Sequence, residues 1–123
     1  MSRILIVEDD DDLVNLATHW LERAGYTVEH APDGATALQL LKNDPLPALV
    51  LLDVMLPKID GFELLRLIRS NARSRNLPVA MVTSFSRDKD AKRGRDLGAN
   101  DYIVKPLMEL DFLKRIEHIV KDQ

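Results

Sequence analysis

The spacing of apolar positions changes in a regular way along the chain. Arg3 to Val7 is a short β-branched and leucine run that stops abruptly at Glu8-Asp9-Asp10-Asp11-Asp12. Beyond it Leu13, Leu16, Ala17, Trp20, Leu21 and Ala24 recur at spacings of three and four, which predicts an amphipathic helix. The acidic residues ahead of that helix suit its N-terminus, by capping and by opposing the macrodipole. Gly25 is placed to end it. Tyr26 to Ala31 has strand character, and Pro32-Asp33-Gly34 is turn chemistry. A second helix follows with Ala37, Leu38 and Leu41 on one face, stopped by Asn43-Asp44-Pro45.

The pattern then changes character. Ala48 to Leu52 reads Ala-Leu-Val-Leu-Leu, continuous rather than alternating, as expected of a central parallel strand covered on both faces. Phe62, Leu65 and Ile68 begin a third helix that ends near Asn71. Pro78 to Val82 is a fourth strand, and Ser86 to Leu97 a fourth helix with Gly98 as its stop. Asp101 to Val104 is a fifth strand, and Phe112, Leu113, Ile116, Ile119 and Val120 mark a final helix.

Strands alternating with helices imply right-handed crossovers and a parallel sheet with helices on both faces. The expected fold class is therefore α/β, a (βα)5 doubly wound parallel five-stranded sheet in one domain over residues 1–123, with the flavodoxin-like order 2-1-3-4-5 as its candidate topology. Ligands of such sheets bind beyond the carboxyl ends of the strands, where strand order reverses. Composition narrows the picture. With a net charge of −3 the chain gives no electrostatic reason to expect direct nucleic-acid binding. The absence of cysteine excludes disulfides and thiolate metal sites. The run from Ala48 to Pro57 is about half of the ~20 residues a membrane helix needs and carries Asp53. No secretory signal precedes it, so a cytoplasmic, membrane-free protein is expected.

The strand ends hold the candidate chemistry. Glu8 and Asp9 follow strand one, Asp53 strand three, Thr83 strand four, and Lys105-Pro106 strand five. In the order 2-1-3-4-5, strands one and three are neighbours and bring three carboxylates together. Such groups repel one another unless a cation sits among them, and hard oxygen ligands suit Mg²⁺. Lys105 and Thr83 add a cation and a hydroxyl on the other side of Asp53, which describes a place for a phosphoryl group with Asp53 as nucleophile. Taken singly each residue has a plainer role: a strand-end Asp in a turn, an acidic run as helix cap, a structural Thr, a Lys-Pro turn. Their convergence on one crevice is what carries the chemical reading.

At these residues the chain closely resembles the receiver domain of bacterial two-component response regulators, the CheY-like family. The resemblance rests on Ile-Leu-Ile-Val-Glu8-Asp9-Asp10, Leu-Leu-Asp53-Val-Met-Leu-Pro57, Asp60-Gly61, Val-Thr83-Ser84 and Gly98-Ala-Asn-Asp-Tyr102-Ile-Val-Lys105-Pro106. It implies that Asp53 is the phosphoacceptor, charged by a sensor histidine kinase or a phosphotransfer protein. It implies Mg²⁺ as cofactor on Asp9, Asp53 and the Met55 backbone carbonyl, with Glu8 acting through water. Thr83 would be the switch hydroxyl, Tyr102 the aromatic that follows it inward, and Lys105 the phosphate-pairing cation ahead of a cis peptide to Pro106. Output would leave through helix four, strand five and helix five, to a downstream protein target or a homodimer, and slow loss of the phosphoryl group would reset the switch. Ser84 stands where alanine is usual and Ile59 where methionine is common.

Two further features set expectations. Arg87 to Asp96 holds only Ala91 as a clearly apolar residue and has Gly94 in its interior, so the fourth helix is expected to be marginal and to be the element the phosphate reorders. Met55 and Phe85 are expected to flank the pocket and obstruct the water that attacks the phosphate. The sequence spacing of His19, His30 and His118 resembles no metal or phosphotransfer site, Trp20 falls on a core stripe, and Lys89, Lys92, Arg93 and Arg95 read as a solvated face. Against the switch stand two alternatives. A phosphatase of the haloacid-dehalogenase type would need a second Asp at Met55, and a phosphate-independent docking module would have lost one of Asp9, Asp53, Thr83 or Lys105.

Overall fold

The structure, a computed structural model, describes residues 2–121. Five strands and five helices alternate: β1 (Arg3–Val7), α1 (Asp11–Arg23), β2 (Thr27–Ala31), α2 (Gly34–Leu40), β3 (Leu49–Leu52), α3 (Gly61–Ser70), β4 (Val79–Thr83), α4 (Asp88–Asp96), β5 (Asp101–Val104) and α5 (Glu109–Lys121). All strands are parallel, in the order β2-β1-β3-β4-β5. The fold class expected from the apolar pattern is the one observed.

Period-two geometry explains why the strands read as unbroken apolar runs. Ile4 and Ile6 point to one face of the sheet and Leu5 and Val7 to the other. The first face packs with Leu49, Leu51, Ala80, Val82 and Ile103 against Val14, Ala17 and Leu21 of α1 and Phe112 and Ile116 of α5. Trp20 joins that layer, its ring 6.0 Å from Phe112. The second face packs with Val50, Leu52, Val79 and Met81 against Ala37, Phe62, Leu64, Leu65 and Ile68 of α2 and α3. Each fully buried Leu or Ile contributes about 1.5–3 kcal/mol, so both layers hold the sheet rigidly.

Several boundaries differ from the expected ones. Thr83 is the last residue of β4 rather than the first residue after it, because β4 runs Val79–Thr83 instead of 78–82. Helix α2 ends at Leu40, with Leu41 as C-cap, before the Asn43-Asp44-Pro45 stop. Arginines hold the intervening loop: Arg73 donates to the carbonyls of Leu41 and Asn43, and Arg3 to that of Pro45. Helix α4 covers 88–96 rather than 86–97, because Arg87 is an N-cap in extended backbone geometry and Leu97 is the C-cap. Gly25 and Gly98 follow the ends of α1 and α4 at φ of +99° and +102°. No helix among the described residues is long and apolar enough to cross a membrane.

Candidate functional site

Strand register brings the carboxyl ends together. Val7 is level with Leu52, so Glu8 and Asp53 emerge side by side, and the Asp53 N–H donates to the Val7 carbonyl at 3.1 Å. Thr83 is level with Val104, and Lys105 N–H donates to the Thr83 carbonyl at 2.8 Å. Helix α3 closes on this edge from below: Gly61 N–H donates to the Val54 carbonyl at 2.8 Å, and a Cβ at Gly61 would run into the Asp53 carbonyl. Only glycine permits that approach.

Ligand oxygens of Glu8, Asp9 and Asp53 all lie within 4.8 Å of one another. Lys105 spans the two buried acids, its Nζ 3.0 Å from Glu8 Oε1 and 3.2 Å from Asp53 Oδ2. The other Asp53 oxygen accepts the Met55 N–H at 3.3 Å. Burial, and the nearby Asp53 charge, push the Glu8 carboxyl up to about 7 against the opposing pull of Lys105. Burial would depress the Lys105 ammonium, but hydrogen bonding to Glu8 and the charges of Asp53 and Glu8 hold it above its ordinary value. One ammonium thus serves two buried carboxylates, with the exposed Asp9 alongside. That donor set has the hard oxygen chemistry and the surplus negative charge that a small divalent cation neutralises.

Thr83 is fully buried, and its Oγ1 accepts the Phe85 N–H at 3.2 Å. Tyr102 is half-buried on β5 and donates from its hydroxyl to the Phe85 carbonyl at 2.8 Å. Above them opens a cavity of about 790 Å³ whose lining includes Asp9, Asp53, Met55, Phe85, Arg87 and Lys105. The expected residues therefore converge: Glu8, Asp9, Asp53 and Lys105 around one point, Met55 and Phe85 at its rim, and Thr83 and Tyr102 joined through the 83–85 segment. The peptide between Lys105 and Pro106 is cis.

The parts played by four neighbouring residues escaped the sequence reading. His30 donates from Nε2 to the Glu8 carbonyl at 2.7 Å, propping the acidic edge from β2. It lies inside β2, level with Ile6 and one residue short of the strand end, so a search of the residues that follow each strand passes over it. Arg87 and Asp90 form an ion pair at the start of α4. Arg93, read as part of a solvated face, lies over the Phe62 ring with 4.3 Å to the centroid. Nothing in the spacing of the sequence marks the contact of Arg93 with Phe62.

A family model for the response regulator receiver domain matches residues 4–117. The chain belongs to that family. It is a receiver domain of two-component signalling with the CheY-like fold. The DNA-binding dual master transcriptional regulator RpaA of Synechocystis sp. is 39% identical over 121 residues, covering 98% of this chain and 50% of that protein. A putative response regulator from Chloroflexus aurantiacus superposes with a TM-score of 0.92 at 34% identity, covering 98% of each chain. The Mn²⁺-bound form of response regulator Rcp1 superposes with a TM-score of 0.83 at 30% identity, over 97% of this receiver domain and 91% of that chain. The chain spans about half the length of the curated relatives it matches.

Proposed function

We propose that this receiver domain takes a phosphoryl group onto Asp53 from a phosphohistidine of a sensor histidine kinase or phosphotransfer protein. The observation that carries the reading is the placing of the Asp53 carboxylate: buried at its base, open to a cavity, and 3.2 Å from a lysine ammonium. A nucleophile so placed is reachable by a donor's phosphorus yet shielded from bulk water.

The chain's own groups divide the work. A carboxylate oxygen of Asp53 attacks phosphorus, forming a P–O bond as the donor's P–N bond breaks, and the imidazole leaves with the bonding pair and picks up a proton. Lys105 Nζ is positioned to pair with a phosphoryl oxygen. The Thr83 hydroxyl, turned from the Phe85 N–H, would donate to another. Mg²⁺ would be held by Asp9, Asp53 and the Met55 carbonyl, with Glu8 acting through water, and would supply charge neutralisation between carboxylates and phosphoryl oxygens. The donor set described above fits it, and the related Rcp1 structure holds a divalent cation. Water attacking phosphorus later restores the carboxylate and releases inorganic phosphate.

Output follows the same hydrogen bonds. Movement of Thr83 breaks its bond to Phe85 N–H, and the Phe85 carbonyl is where Tyr102 is anchored. Tyr102 then carries the change to α4, β5 and α5. That face is built for contact: Val104, Met108 and Leu110 are 40%, 68% and 78% exposed there. A downstream protein or a second copy of the chain would cover them. Incubation with Mg²⁺ and acetyl phosphate should add the mass of one phosphoryl group, and Asp53→Asn should abolish the gain. Labelling that survives Asp53→Asn would refute the assignment. Mass in solution with and without beryllofluoride tests the output face.

A further inference from the structure

Asp90 is 7% exposed, and nothing in the reaction just described uses it. A buried carboxylate needs a partner, and Asp90 has one: Arg87, with Nε 2.9 Å from Oδ2 and Nη2 3.4 Å from Oδ1. The position of Arg87 is poor for stability. It occupies the N-cap of α4 and makes no side-chain cap bond. N-caps favour Ser, Thr, Asp and Asn, whose oxygens accept the free N–H groups. A cation there also faces the positive end of the helix dipole. The helix gains little from an arginine at this point, and the cavity beside it suggests what does.

Arg87 and Asp90 line the same cavity as Asp53 and Lys105. All three charges are felt by one phenol: burial, then Asp90, then Asp53 push the Tyr102 hydroxyl up, while Arg87 pulls it down. The guanidinium is held by one acid, Asp90, and shares its cavity with a second, Asp53. Lys105 is already divided between Glu8 and Asp53. A phosphoryl group on Asp53 adds negative charge that Lys105 must share, and a guanidinium fork matches phosphate oxygens better than an ammonium does.

We propose that Arg87 is a second phosphate-binding cation of this site, parked on buried Asp90 at the cavity mouth while Asp53 is unmodified and transferred to the phosphoryl oxygens once it is modified. The exchange makes and breaks hydrogen bonds only. Asp90, in the first turn of α4, keeps the helix N-terminus as a compensating positive end when Arg87 leaves. Transfer of Arg87 would also pull the start of α4 toward Asp53, giving this helix its own link to the phosphoryl group beside the one through Thr83 and Tyr102.

The proposal rests on Asp53 being the phosphoacceptor, and its test separates the two. The apparent affinity for beryllofluoride in excess Mg²⁺, measured by calorimetry, reads binding at the modified site directly. Arg87→Gln is expected to weaken it by roughly tenfold, the scale of one charge-assisted hydrogen bond. Asp90→Asn should tighten it severalfold by releasing Arg87. The double variant should match Arg87→Gln, because the gain from Asp90→Asn needs the arginine. An unchanged affinity in Arg87→Gln overturns the proposal, and that measurement does not require the variant at buried Asp90 to fold. Additivity in the double variant also overturns it, since that would mean only a fixed electric field. So does weakening by both single changes, which would mean a structural ion pair. Failure of the unsubstituted chain to bind beryllofluoride would overturn the reading of Asp53 itself, and this proposal with it.

Discussion

Helices α3 and α4 wall the same site and are held in opposite ways. Helix α3 buries Gly61, Phe62, Leu64, Leu65 and Ile68, and Asp60 caps it by accepting the Glu63 N–H at 3.0 Å. Its far end is tied down by Arg69, which donates to the carbonyls of Leu77 and Gly98 and to Asn100 Oδ1. The loop before it crosses Lys58 at φ +71° and is pinned by the Lys58–Asp33 ion pair. Helix α4 buries only Asp90 and Gly94, has no side-chain cap, and carries an exposed Lys92–Asp96 pair. Exposed i,i+4 pairs are worth about 0.3–0.5 kcal/mol. A site that changes state needs one wall to stay and one to yield. Local opening is easiest where little apolar surface is buried, so under the proposed switch α3 is expected to stay and α4 to yield.

The contrast can be broken first at its strong side. Leu65→Ala removes a fully buried side chain of α3 and should cost about 3 kcal/mol, lowering Tm by about 10 °C in thermal unfolding. A loss below about 1 kcal/mol, the centre of the range for ordinary substitutions, would mean that α3 is no better anchored than α4. Amide exchange then compares the two helices without any substitution. Before phosphorylation, α4 amides should exchange at least about a hundredfold faster than those of α3 and α5, and beryllofluoride should slow α4 the more. Equal protection in the three helices would remove the distinction altogether. A smaller effect comes from the rim, where Phe85 leads into α4 and Met55 into α3. Phe85→Glu replaces an obstructing ring by a carboxylate able to orient the attacking water, and should shorten the phosphoryl half-life by up to about tenfold, below the gain from a fully positioned base. An unchanged hydrolysis rate would show that Phe85 does not govern water access.

What could be read from the chain follows the same division. The unbroken runs Ile4–Val7 and Leu49–Leu52 announce strands covered on both faces, and topology then places Glu8, Asp9, Asp53, Thr83 and Lys105 together before any coordinate is known. Helix α3 is legible because its burial is apolar and periodic. Helix α4 is legible only as an oddity. Its start lies two residues later than expected, because Arg87 and Asp88 have no periodic signal. The Arg87–Asp90 pair has local i,i+3 spacing, but the burial of Asp90 and the nearness of Tyr102 of the following strand are encoded by no local pattern. Arg93 reads as a solvated cation for the same reason: the ring beneath it belongs to α3. Contacts between elements distant in sequence, such as Arg93 on Phe62, are invisible to periodicity.

Gly94 makes the last and smallest test, and here the expectation from the chain needs changing. Within a helix, glycine costs about 1 kcal/mol relative to alanine, so from sequence alone Gly94→Ala should strengthen a weak helix. The structure supplies an opposing effect. A Cβ at Gly94 would stand 3.1 Å from Tyr102 Cδ1 and 3.4 Å from Cε1, with Met81 Cγ at 3.6 Å. Met81 is fully buried in the sheet and cannot yield, so the adjustment falls on the half-buried Tyr102 ring or on α4 itself. Overpacking of this kind costs about 1–3 kcal/mol, which outweighs the gain in propensity. The net result should be a loss of about 1 kcal/mol in chemical denaturation, with the Tyr102 ring resonances shifted and those of α3 unmoved. A stabilised variant would mean that Tyr102 gives way freely, and α4 would then rest on even less than its two buried positions suggest.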